Sequence, residues 1–183
     1  MLTLTYALVA LSVEQKKVQI SLLELQHAIQ RERKRKPVAI TDQRNFESLL
    51  LQFARLDEAC EVRNISLYIM PAIRSITTEA DPLLADVEAL TSMGRIILNA
   101  VRKRVRQAFA QGTGEIDDLF NSLELYCQYL LKRLAIEEQH LLPLAQRLIS
   151  SDEWFDIAAR FISHESGKYV KKEMDCNAVS VLA

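Results

Sequence analysis

Two short runs of this sequence place a glutamate three positions before a histidine: Glu24-Leu25-Gln26-His27 and Glu137-Glu138-Gln139-His140. On a helix that spacing sets carboxylate and imidazole on one face, about one turn apart. Two such pairs, joined by a glutamate from each of two further helices, can hold two iron ions in the core of a bundle. Glu58 or Glu61, and Glu88, lie where such extra carboxylates would be needed. The set requires Glu24 to face inward, although it sits beside the apolar stripe of its helix. A single metal on Glu137 and His140 is the smaller version. Other chemistry finds less material. No Cys-x-x-Cys, nucleophile elbow or phosphate-cradling glycine loop occurs.

Glu137 also has a reading of its own. Leu123, Tyr126, Leu130, Leu134, Leu141, Leu144 and Leu148 recur at helical spacing, and Glu137 fills the gap in their stripe. A carboxylate on a buried face costs several kcal/mol, roughly, unless it is paired. A metal ion or a cation would serve, and Arg133 stands one turn earlier.

The run Tyr126 to Ala145 resembles the last helix of hemerythrin-like (HHE cation-binding) domains. Glu137, Glu138, Leu141, Leu142, Pro143, Leu144 and Ala145 carry the likeness, with Asp152-Glu153-Trp154 after them. NISLYIMPAI is a weaker copy of AIEEQHLLPLA, and superposing Pro71 on Pro143 sets Glu61 against Arg133 and Ile65 against Glu137. The resemblance implies a bundle of two such halves around a di-iron centre. It also identifies the ligand positions. The histidine slots hold Lys16, Glu61, Met93 and Arg133; the carboxylate slots hold Ile65 and Glu137. A guanidinium is always charged and cannot ligate iron, and methionine is a soft, poor ligand for it. One ligand of the set survives, so the expectation is a chain with no metal and no cofactor. Lys16 and Arg133 would then face Glu61 and Glu137 as a buried ion-pair cluster. Alternatively Lys16 and Glu61 snorkel outward and only Arg133 and Glu137 meet. Iron held by a hemerythrin-like or ferritin-like carboxylate site, through Glu24, His27, Glu137 and His140, is the competing reading.

The elements that must position these residues are helices. Four glycines, four prolines and few alternating runs argue against strands, and a hydrophobic share of 49 % supports a sizeable core. The first helix is expected over Thr5 to Lys36, with Val9, Val13, Lys16, Ile20, Leu23 and His27 on its inner stripe. The second is expected over Asp42 to Ser75, burying Phe46, Leu49, Leu50, Phe53, Leu56, Cys60 and Leu67. The third is expected over Pro82 to Ala110, burying Leu83, Val87, Leu90, Met93, Ile97, Val101 and Val105. The fourth runs to Leu148 with a kink at Pro143, and Ser150, Ser151 and Asp152 offer caps for a short fifth helix ending near His164. The expected fold is therefore all-α: an up-down-up-down four-helix bundle, hemerythrin-like, over residues 1–166 with a short C-terminal fifth helix, followed by a tail over 167–183.

A formal net charge of −1 gives no global pull toward nucleic acid or anionic membrane. The basic runs near Arg31 to Lys36 and Arg102 to Arg106 lack interleaved aromatics, which argues against nucleic acid but suits an acidic protein partner. Three widely spaced cysteines, Cys60, Cys127 and Cys176, point to a reducing compartment such as the cytoplasm. The apolar start, Met1 to Val13, is shorter than the ~20 residues of a membrane span. It reads as a packing helix that could also join copies of the chain. The functional expectation is a non-enzymatic interaction or regulatory protein.

Overall fold

The computed structural model describes residues 2–34, 39–111 and 116–163. The end expected for the first helix at Lys36, the end expected for the last near His164, Cys176 and the tail expected over 167–183 lie outside them. Every element among the described residues is helical. They are α1 (Leu2–Lys34), α2 (Ala39–Glu61), a wide π turn (Ile65–Ile69), α3 (Met70–Ile76), α4 (Asp81–Gln111), α5 (Ile116–Ile136), a second π turn (Glu137–Leu141) and α6 (Leu142–Leu148). A last helix, α7, covers 151–163. α1 packs on α2 and α5, α2 on α4, and α4 on α5, while α3 touches α6. None of the helices among the described residues is long and apolar enough to cross a membrane.

α1 differs from expectation in which face it buries. Ala7, Leu11, Gln15, Val18, Leu22, Leu25 and Ile29 point inward at steps of three and four. The expected inner stripe is on the outside: Val9 is 55 % exposed, Val13 44 %, Ile20 58 % and Leu23 53 %, with Lys16 and His27 exposed between and after them. Both stripes have helical spacing and lie half a turn apart, so periodicity alone cannot choose between them. The structure buries the stripe that has no ionisable residue in it.

α2 buries Phe46, Leu49, Leu50, Phe53, Leu56 and Cys60 as expected. It stops at Glu61 rather than running to Ser75, and Leu67 is on the surface. The cause is Pro71. Proline has no N–H to donate, and its ring crowds the carbonyl four residues back. The chain widens just before it, with the Met70 N–H reaching five residues back to the Ile65 carbonyl. Pro143 has the same effect. The Leu142 N–H reaches back to the Glu137 carbonyl, and this widening stands where a kink was expected. The two π turns and the helices after them correspond position for position when Pro71 is laid on Pro143, so the internal echo in the sequence has a backbone counterpart.

α4 buries Leu84, Val87, Leu98, Val101 and Val105, but Met93 lies at the surface. Its neighbour Gly94 faces inward instead. A Cβ there would sit 3.2 Å from Cε2 of Tyr126, so only glycine lets α4 and α5 approach this closely without displacing the ring. α7 begins with a capping box. The Ser150 hydroxyl accepts from the Glu153 N–H, and the Glu153 carboxylate accepts from the Ser150 N–H.

The buried apolar residues form two clusters. One joins the C-terminal part of α1 to α2, the later half of α4 and α5, from Val18 through Phe53 and Tyr126 to Leu134. The other joins the start of α1 to both π turns, α3, the start of α4, α6 and α7, and contains Trp154 and Phe161. Between them the buried residues on α1, after α2 and along α5 turn polar: Gln15, Arg63, Asn64, Arg133 and Glu137.

Candidate functional site: a buried carboxylate between two guanidiniums

Glu137 opens the second π turn and is fully buried. One carboxylate oxygen accepts from Nε of Arg133 at 2.8 Å, one helical turn earlier. The other accepts from a terminal nitrogen of Arg63 at 2.7 Å, 74 positions earlier in the chain. Both arginines are only 4 % exposed. Arg133 also donates to the Ser66 hydroxyl at 2.9 Å, tying α5 to the first π turn. Gln15 on α1 donates to the Leu134 carbonyl at 2.8 Å, and the Glu14 carboxylate accepts from the Asn64 N–H at 3.0 Å. The layer thus joins α1, the turn after α2, and α5. Nε of Arg63 and both amide atoms of Asn64 are buried without a hydrogen-bond partner among the described residues.

Cys60 lies next to this layer. Burial pushes its thiol up to about 11 despite the opposing pull of Arg133 and Arg63. Burial likewise pushes the Cys127 thiol up to about 12, with Glu124 adding to it. Neither is a ready nucleophile near neutrality. The Tyr126 hydroxyl, 3.2 Å from Asp57, is raised by burial first and by that carboxylate second.

Arg133 also reaches the inner end of a surface groove of about 570 Å³ between α3 and α4. The ion pairs Arg74–Glu88, at 2.8 Å, and Arg95–Glu61 bridge this groove. Its charged rim is therefore already paired.

Of the sequence-derived residues, the structure brings Arg133 and Glu137 together. Lys16 and Glu61 are on the surface, so the four-charge cluster does not form. Arg63 supplies the second cation, two positions beyond Glu61 and just past the end of α2. Met93 faces out, and Ile65 is buried in the second apolar cluster. The competing metal set is not assembled. Glu24 and His27 line a surface depression, Glu58, Glu88 and His140 are exposed, and both oxygens of Glu137 are taken by guanidiniums. Among the described residues no three His, Cys, Asp or Glu side chains gather as metal ligands. Gln15, Arg63 and Asn64 escaped the sequence reading. The available signal was a pair of polar residues between Val62 and Ile65, before a proline shared with the Glu137 segment. In comparisons with known proteins the chain matches no family model, no curated protein and no solved structure.

Proposed function

We propose that this chain is a hemerythrin-like, up-down-up-down helical bundle in which a buried ion-pair triad stands in place of an iron centre, and that it serves as a non-enzymatic interaction or regulatory protein. The observation that carries the reading is Glu137, with both oxygens held by arginines that iron could not use as ligands. The donor set does not fit a di-iron centre. A centre of that kind needs imidazoles and bridging carboxylates from several helices, and at this level the helices present Gln15, Arg63, Asn64 and Arg133. The neighbour pattern of α1, α2, α4 and α5 and the paired π turns support the bundle of two halves. The raised thiols of Cys60 and Cys127 and the pre-paired rim of the groove give little basis for catalysis. The test is metal analysis of protein purified without chelators, together with its absorption spectrum. Less than a tenth of an equivalent of iron is expected. Stoichiometric iron with a visible oxo-bridge band would overturn the reading.

A further inference from the structure

The outer face of α1 carries a second helical seam that no other described residue covers. Val9, Val13, Lys16, Ile20, Leu23 and His27 follow one another at steps of four and three, with Tyr6 exposed at the N-terminal end. That alternation is the spacing with which one helix seats another. The seam is about 27 Å long at 1.5 Å per residue, enough for five turns of a partner helix. Its charge is one-sided. Lys16 interrupts it, Lys17 flanks it, and Arg31 and Lys34 follow at its C-terminal end, against one carboxylate, Glu24. Among the described residues none of these four cations is held in an ion pair. Glu24, His27, Arg31 and Lys34 also line a depression of about 500 Å³ at that end. A second copy laid on this seam would set the same excess of cations against itself. Like charges facing across an interface disfavour pairing.

We propose that the outer face of α1 docks an amphipathic helix of a partner protein, with leucine-like residues on the seam and carboxylates set against Lys16, Arg31 and Lys34. The proposal rests on the reading of the chain as an interaction protein and names the partner's chemistry. Its test does not depend on metal content, so the two can fail separately. The probe is a fluorescein-labelled 21-residue peptide with leucine at heptad positions a and d and glutamate at e and g, and a twin carrying lysine at e and g. Anisotropy titrations against the full chain are expected to show binding of the glutamate peptide, at least tenfold weaker binding of the twin, and weakening of the former by added salt. Ile20→Glu and, separately, Lys16→Glu should each weaken the glutamate peptide at least tenfold. Both positions are exposed, so circular dichroism should be unchanged. Equal binding of the two peptides, no binding of either, or indifference to both substitutions would overturn the proposal. So would sedimentation of the chain alone as a dimer that Ile20→Glu disperses, which would assign the face to a second copy.

Discussion

Replacing Glu137 with leucine leaves two guanidiniums, each 4 % exposed, facing an alkyl group. Two charge-assisted hydrogen bonds, of 2.7 and 2.8 Å, are lost. Such bonds contribute about 1.5–3 kcal/mol each, and removing one partner of a buried pair costs about 3–5 kcal/mol. Both routes give a loss of about 4 kcal/mol, a large part of the roughly 5–15 kcal/mol that holds a domain folded. Arg63→Met should cost less, about 2 kcal/mol, because Arg133 and Glu137 remain a neutral pair. The triple change Glu137→Leu, Arg63→Met, Arg133→Leu removes every member of the triad together. It should recover to within about 1 kcal/mol of the parent, since apolar replacement of a whole buried charge set is often tolerated. Urea unfolding followed by circular dichroism and by fluorescence of Trp154, the one tryptophan, gives the midpoints. Equal slopes are required for the comparison. If the single change costs under about 1 kcal/mol, or the triple change is no better than the single, the three charges do not act as partners.

Other outcomes follow from the same layer and its neighbours. In a Cys176→Ser background, Cys60 and Cys127 should resist a thiol reagent at pH 8 and react fully in urea, as read from the released chromophore. The folded Cys60 thiol titrates near 11 and the unfolded one near 9.0, so its contribution to stability is complete below pH 9 and is lost as pH rises toward 11. Urea midpoints over that range should fall less steeply in Cys60→Ala than in the parent. Gly94→Ala gains helix propensity but presses on Tyr126, which is fixed by Asp57 and by an edge contact with Phe53. The net result should be a loss of about 1 kcal/mol in the same unfolding assay. Asn64→Leu removes a buried amide whose side chain has no partner among the described residues. It should be neutral or stabilise by about 1 kcal/mol, and a loss above about 2 kcal/mol in urea would show that the amide has a partner.

How far the sequence could be read depended on whether local pattern or long-range contact decided each feature. The Leu123 to Leu141 stripe with Glu137 in its gap was legible, because one apolar face with one interruption has a single arrangement. So was the cap at Ser150, which depends on residues three apart. The inward face of α1 was not legible, because two stripes of equal period compete and the choice is made by the helices opposite. Arg63 was hidden for a related reason. It lies in the break after α2, where helical spacing no longer predicts direction, and its partner is 74 positions away. Met93 looked inward because it continued an apolar run. The ring of Tyr126 needs the space beside it, and only Gly94 leaves that space.

The polar slice between the two apolar clusters fixes the height of the helices as well as their contacts. Leucines and valines above and below it are nearly interchangeable, so a helix sliding along its axis by one turn, about 5.4 Å, would find comparable company. Glu137 would not. A slip of α5 would bring Leu134 or Leu141 opposite Arg63 in its place, and the cost of a stranded charge would fall on every such slip. The triad acts as a detent that admits one vertical alignment of α5 against the turn after α2 and rejects its neighbours.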